Sequence, residues 1–279
     1  MRLTRFAMAA AAAITTVAPP RAAGAAGPPP APPINAKFDY QIGGDYRPPA
    51  GVTVVSRDWF SGSALRGTGY SICYVNAFQT QADDASADRP DERSNWPRDL
   101  VLDGLGDDPN WDGEYLIDIS TADKRAGALD HLAPMIDACA RKGFQAVEYD
   151  NLDSWTRFDG TTRQGSIPFG QAEAVAFAEM LTDYAHSKGL AVGQKNTPQL
   201  GRRISRELIG FDFAIAEECG YYRECAAYTA AFGRRLIVVE YTSAGFLRAC
   251  RQVGARVSVV RRDVNLTRPG SPTYRYRSC

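Results

Sequence analysis

Histidine is scarce in this chain. The 279 residues hold two, His131 and His186, and both fall in helix-like patterns away from the ends of strand-like runs. A histidine-dependent triad or a histidine-rich zinc hydrolase needs imidazoles converging on a cleft, so neither chemistry is expected. Also missing are a Gly-x-Ser-x-Gly elbow, a His-Glu-x-x-His pair and a Walker-type phosphate loop. Their absence sets aside the common serine hydrolases, zincins and P-loop enzymes. Basic residues are not in excess, with 32 Lys and Arg against 32 Asp and Glu, so nothing calls for a nucleic-acid partner. There is no Cys-x-x-Cys, and neither histidine stands at ligand spacing from a cysteine. No structural metal and no cofactor are expected. Beyond the N-terminal segment, no run of about 20 apolar residues offers a membrane anchor.

That N-terminal segment begins Met1-Arg2-Leu3-Thr4-Arg5 and continues in an Ala-rich apolar stretch from Phe6 to Val17, too short to span a bilayer. With Ala23-Gly24-Ala25 as a small-x-small site, residues 1–25 read as a secretory signal peptide. Its removal takes away Arg2, Arg5 and Arg21 and no acid, leaving 29 basic against 32 acidic residues, a net charge of −3. Six cysteines fit an oxidising compartment; among the 15 pairings that six thiols allow, Cys219 with Cys225 is the expected bridge. Residues 26–35 contain Pro28-Pro29-Pro30-Ala31-Pro32-Pro33, a stiff linker expected to stay out of any core. The folded domain is expected over 36–279, secreted and acting as a monomer.

Strand-like runs then recur: Phe38 to Ile42, Val52 to Asp58, Tyr70 to Ala77, Tyr115 to Ile119, Ala146 to Asp150, Leu190 to Lys195, Phe211 to Glu217, Leu236 to Tyr241 and Val257 to Asp263. From the middle of the chain they alternate with helical patterns. Thr121 can cap a helix with Leu129, Leu132, Ile136 and Cys139 on its apolar face, and a second helix runs from Pro168 to Gly189. Strand-helix alternation of this length predicts one α/β domain, a (β/α)8 TIM barrel, with one of the nine runs outside the eight-stranded barrel. The stretch from Gln79 to Glu114 breaks the rhythm; its Trp96 and Trp111 read equally as a sugar-stacking lid or as anchors of a solvated loop.

Catalytic groups in such barrels sit where the strands end. Ala146-Val147-Glu148-Tyr149-Asp150-Asn151-Leu152-Asp153 ends an apolar run in carboxylates and an amide; read alone, it fits an active site or an acidic helix cap. The same ends carry Asp58, Asp118, Lys195, Asn196, Glu217, Glu218, Glu240 and Tyr241, with Tyr40 and Tyr74 within the earlier strands. So many polar groups on one barrel rim cost stability that function would justify. Two of the carboxylates, flanking a glycosidic bond, would be the minimal apparatus for glycoside hydrolysis.

Val147-Glu148-Tyr149-Asp150-Asn151, Gly193-Gln194-Lys195-Asn196, Ala216-Glu217-Glu218-Cys219 with Glu224-Cys225, Val239-Glu240-Tyr241 and Trp111-Asp112-Gly113-Glu114-Tyr115-Leu116-Ile117-Asp118 together resemble the motif series of glycoside hydrolase family 114. The resemblance implies a secreted TIM-barrel endo-α-1,4-polygalactosaminidase acting on an amino-sugar polysaccharide. Asp150 and Glu217 match the family's catalytic aspartate and glutamate, with Asp150 as nucleophile and Glu217 as acid/base of a retaining mechanism. Substrate binding is expected from Tyr40, Asp58, Tyr74, Asp118, Asn151, Lys195, Asn196, Glu240 and Tyr241. Three positions depart from the motifs: Tyr149 stands for proline, Ala216 for asparagine and Glu218 for glutamine. A hydrolase of another hexosamine glycan and a silent sugar-binding barrel are the alternatives. Glu218 competes with Glu217, because a one-residue shift of register exchanges the two.

Overall fold

A computed structural model describes residues 29–60, 62–81 and 96–279. The signal peptide expected over 1–25 and the acidic stretch from Asp83 to Arg93 lie outside the described residues. Eight parallel strands follow one another around a barrel: β1 (Phe38–Tyr40), β2 (Val54–Asp58), β3 (Tyr70–Asn76), β4 (Ala146–Asp150), β5 (Ala191–Lys195), β6 (Phe213–Glu217), β7 (Leu236–Glu240) and β8 (Ser258–Arg262). A ninth, β9 (Tyr276–Ser278), lies antiparallel on β8. Eight of the nine sequence runs are these barrel strands. The exception is Tyr115 to Ile119, which makes only isolated antiparallel bridges, Gln79 with Leu116 and Val101 with Ile117. Its side chains Leu116, Ile117 and Ile119 are buried in the outer core with residues of the helix that follows, which gives a strand-like pattern without a place in the sheet.

The helices are α1 (Ala122–Arg141), α2 (Gln171–Ser187), the one-turn α3 (Cys219–Tyr222), α4 (Cys225–Phe232) and α5 (Ser243–Gln252). Thr121 caps α1 by accepting from the Lys124 amide, as its sequence signature implies. The second helix begins later than Pro168, where Glu173 reaches back to the Gly170 amide at 2.8 Å and forms half of a capping box. Among the described residues, β1, β2 and β8 are followed by loops instead of helices, so the outer layer is thinner than a full (β/α)8 ring.

Strands buried on both faces read as nearly continuous apolar runs, but their period of two still sorts side chains between two cores. Ala146, Ala191, Phe213, Ile215, Ile237 and Val239 fill the barrel interior. Val147, Tyr149, Val192, Ala214, Ala216 and Val238 pack outward against the helices. Continuing the alternation to the C-terminal ends puts Asp150, Lys195, Glu217 and Tyr241 on the inner parity, and Glu240 on the outer one. Gly193 takes an inner position because a Cβ there would lie 2.7 Å from the Phe213 ring. At the opposite end of the barrel, Pro32 is buried and Tyr70 donates to the Pro30 carbonyl at 2.7 Å. Of the described linker residues Pro32 thus packs against the fold, whereas Pro30, Pro33, Ile34 and Asn35 are exposed.

Barrel closure is a side-chain affair. No hydrogen-bonded ladder joins β8 to β1; instead the fully buried Arg262 on β8 pairs with the fully buried Asp39 on β1 at 2.7 Å. The same guanidinium donates to the carbonyls of Tyr40, Thr267 and Arg275. Three disulfides add covalent ties: Cys73–Cys139 joins β3 to α1, Cys219–Cys225 spans α3 with Cα atoms 4.8 Å apart, and Cys250–Cys279 pins β9 to α5. The Cys219–Cys225 expectation matches the structure. Removing one partner of a buried ion pair leaves an uncompensated charge, so Asp39→Ala should cost about 3–5 kcal/mol. Urea unfolding checks this, and a loss below about 1 kcal/mol would show that the carbonyls alone satisfy Arg262.

Candidate active site

The C-terminal ends of the strands open into a cavity of about 510 Å³, ample for sugar units. At its floor Lys195, 2% exposed, donates to Asp150 Oδ1 at 2.9 Å and lies 3.1 Å from Glu217 Oε2. Both carboxylates line the cavity. Tyr74 donates to Asp150 Oδ2 at 2.7 Å, and the Asn151 amide to Oδ1 at 2.8 Å. Glu217 is held by the Tyr241 hydroxyl on Oε1 and by Asn196 Nδ2 on Oε2 at 3.0 Å, while its own amide donates to Asn196 Oδ1 at 2.8 Å. Asn151 and Asn196 both adopt left-handed φ, 61° and 49°, a conformation asparagine tolerates better than most residues. That turn at the strand end brings each amide back onto the carboxylates.

The electrostatics follow from burial and from this one cation. Burial would raise the Asp150 pKa, but the Lys195 charge and hydrogen bond, with Tyr74 and the Asn151 amide, outweigh it and hold the carboxyl below its usual value. Burial likewise opposes the charged form of Lys195, yet Asp150, Glu217 and Glu148 keep it protonated with a pKa well above normal. Glu148, fully buried one layer below, is pushed up to about 7 by burial despite the opposing pull of Lys195; it accepts from Tyr40 at 3.2 Å and from Ser56. Glu114, arriving from the long loop, lines the cavity and is pushed up to about 8 by burial and by Asp150. Asn76 donates to it at 3.2 Å.

The residues expected at the site divide into two groups. Tyr74, Asp150, Asn151, Asn196, Glu217 and Tyr241 line the cavity, and Lys195 touches both acids from beneath. Tyr40 sits under them, its ring 5.6 Å from the Lys195 ammonium. Asp58 is buried and does not line the cavity; Gln81, which does, donates its side-chain amide to it at 3.0 Å. Asp118 and Glu240 are elsewhere. Asp118 pairs with Lys124 and the Ser120 amide at the start of α1, because the Tyr115 run that carries it is not a barrel strand. Glu240, on the outer parity of β7, is buried and accepts from the Gly220 amide at 2.6 Å. Its carboxylate and the sulfurs of Cys219 and Cys225 lie within 4.8 Å of one another, but the sulfurs are spent on their bridge. Glu218 adopts φ 56° beyond the end of β6 and does not line the cavity.

Wall residues that sequence reasoning did not single out as binding groups include Gln81, Asp112, Glu114, Asp153, Arg157 and the segment Val264 to Leu266. Glu114 had a signal, its place in the Trp111 to Asp118 motif. Asp153 and Arg157, paired at 3.5 Å, had none beyond proximity to Asp150. Of the two tryptophans, Trp111 is at the wall and 46% exposed, whereas Trp96 is buried with its ring centroid 3.9 Å from that of His131.

Comparison with known proteins agrees with this geometry. The family model described as glycoside-hydrolase family GH114 matches residues 18–279. The chain belongs to glycoside hydrolase family GH114. Its fold is similar to that of Aspergillus fumigatus Ega3, solved in complex with galactosamine, with TM-score 0.69 and 21% identity over 90% of this chain and 97% of that one. The glycoside hydrolase domain of PelA from Pseudomonas aeruginosa is similar at TM-score 0.57 and 14% identity, over 84% of this chain and 96% of that one. No curated protein matches the chain. The three departures from the GH114 motifs are all away from the cavity wall. Tyr149 points outward and donates to the Leu181 carbonyl of α2 at 3.1 Å, Ala216 packs in the outer core, and Glu218 lies past the strand end. In this GH114 glycosidase none of the three departures lines the cavity that holds Asp150 and Glu217.

Because Lys195 supplies the largest of the effects that offset the burial of Asp150, ahead of Tyr74 and the Asn151 amide, Lys195→Met should raise the Asp150 pKa. The acidic limb of the kcat/KM profile should move to higher pH, and kcat should fall about 10²-fold or more. A pH–rate profile superimposable on that of the parent enzyme would reduce Lys195 to a rim residue.

Proposed function

We propose that the protein is an exported endo-acting hydrolase of α-1,4-linked galactosamine-containing polysaccharide, with Asp150 as nucleophile and Glu217 as general acid/base of a retaining mechanism. The observation that carries this reading is the sharing of one ammonium by two carboxylates. The two contacts from Lys195, laid end to end, limit the distance between the bonded oxygens to about 6 Å. An oxygen pair held this close is compatible with the roughly 5–5.5 Å carboxyl separation of retaining pairs.

The shared cation also matches the charge changes of the two steps. Before reaction, Asp150 is anionic and Glu217 carries the proton it gives to the leaving oxygen. Asp150 then forms a bond to the anomeric carbon and becomes a neutral ester, while Glu217 is left anionic. In the second step Glu217 takes a proton from water, which attacks the anomeric carbon and frees Asp150. Each state has one net negative charge beside Lys195, so the ammonium need not move while the charge passes between its neighbours. The acid is not set against an apolar wall, as a lone raised glutamate would be; Tyr241, Asn196 and Lys195 surround it.

An amino-sugar polymer suits the wall: among the described residues Asp112, Asp150 and Asp153 outnumber the cations Arg157 at the wall and Lys195 beneath it, while Glu114 and Glu217 add hydrogen-bonding carboxyl groups. An acidic cleft concentrates a chain of ammonium groups. Ega3 binding galactosamine is a further support. Export is supported by three disulfides, which persist in oxidising compartments.

Release of reducing ends from partly deacetylated polygalactosamine tests the activity, and α-anomeric product appearing first by NMR tests retention. Glu217→Gln should lower kcat by about 10²–10⁴-fold, Asp150→Asn should abolish turnover, and Glu218→Gln should keep the parent kcat. Hydrolysis surviving in Asp150→Asn, or a dead Glu218→Gln beside an active Glu217→Gln, would overturn the assignment.

A further inference from the structure

Just past Glu217, the chain displays two large aromatic side chains that neither core uses. Tyr221 and Tyr222 are 48% and 63% exposed, with ring centroids 5.0 Å apart and planes crossed at 88°. A single exposed tyrosine needs no explanation, but adjacent ones on a firmly held backbone mark a binding surface. The Cys219–Cys225 bridge brackets this backbone, Glu240 accepts from the Gly220 amide, and Arg248 donates to the carbonyls of Gly220 and Tyr221 at 2.8 and 3.1 Å. Gly220 is itself wedged in place, since a Cβ there would lie 2.5 Å from the Gly245 carbonyl.

Tyr222 lies in the field of Glu218 and Glu224, both partly exposed. Glu218, next to Glu217 in the chain, and Glu224, next to Cys225, thus flank the tyrosine pair on either side; Arg248 is engaged with backbone, and Arg223 is the exposed cation of this segment. An aromatic face packs against the apolar face of a sugar ring, and both the ring quadrupole and a nearby carboxylate attract an ammonium group.

We infer that Tyr221 and Tyr222, with Glu218 and Glu224, form an outer platform that grips a cationic amino-sugar unit of the polymer beyond the cavity. The inference rests on the amino-sugar reading of the substrate. A platform outside the reacting units contributes equally to ground and transition states, so it governs KM for long chains and leaves kcat alone.

The test compares the full chain with its Tyr221→Ala/Tyr222→Ala variant on long, partly deacetylated polygalactosamine and on a galactosamine tetramer. The polymer KM should rise about tenfold, the size of one exposed cation–π and stacking contact or two. Polymer kcat, tetramer turnover and the thermal midpoint should stay unchanged, and Tyr222→Phe should keep the parent KM. Glu224→Gln, which leaves both rings, should also raise the polymer KM. A polymer KM within twofold of the parent in the double variant overturns the platform. Affinity is measured separately in the inactive Asp150→Asn protein, with and without the double change, on the same polymer and on its fully N-acetylated form. The cationic polymer should lose about tenfold with the double change, and equal affinity of the parent Asp150→Asn protein for both polymers also overturns the inference. If the intact enzyme cuts neither glycan, the proposed function fails while this binding comparison still decides the platform.

Discussion

A buried ammonium stays charged only when anions surround it, and much of this active site can be understood as the surroundings of Lys195. Taking an ion of that size out of water costs several kcal/mol even after relaxation. A single close carboxylate in moderately screened surroundings returns about 4 kcal/mol, and Lys195 has two in contact, with Glu148 below. The arrangement holds only because all these groups point into one barrel. Remove the cation and two acids are left facing each other without compensation. Keep it, and Asp150 is held below the usual carboxylate pKa despite its burial.

The supporting residues act on the same cluster from outside. Tyr74 and Tyr241 each donate to the oxygen that Lys195 does not reach, so each carboxylate is fixed at both ends. Asn151 and Asn196 turn the backbone sharply enough at the strand ends to bring amides onto the acids. Further out, Arg157 donates to Asn151 at 2.7 Å and pairs with Asp108 at 3.1 Å, tying the β4 loop to the long loop that carries Glu114. That long loop supplies the wall where β1 and β2 lack following helices.

Stability and chemistry compete in this design, and the fold separates them in space. Glu240 shows the division. One residue before Tyr241 on the same strand, it faces outward and secures the backbone of α3 behind Glu217. It is pushed up to about 7 by burial, as Glu148 is inside the barrel, yet it touches no cavity. Arg262 and Asp39 perform the equivalent task at the β8–β1 seam, where an ion pair stands in for the missing ladder. A perturbed carboxyl is therefore no guide to catalysis here without the parity of its strand.

The strand period of two accounts for what could be read from the sequence alone. Once Ala146 to Asp150, Phe211 to Glu217 and Leu236 to Tyr241 are recognised as barrel strands, their ends bring Asp150, Glu217 and Tyr241 to one rim. Glu240 was placed there too, however, and Glu218 competed with Glu217 until the register of each strand was known. Thr121 capping α1 and the short Cys219–Cys225 loop were legible for the same reason, since each depends on neighbours a few residues apart. Tertiary structure alone decided the rest. Asp118 lost its place because the Tyr115 run, apolar and strand-like, found its partners in a loop and not in the sheet. Glu114 reaches the cavity, Cys73 finds Cys139 and Arg262 finds Asp39 across 66 residues or more. Such meetings are set by how the barrel closes and which loops fold back over its rim, and local periodicity carries no record of either.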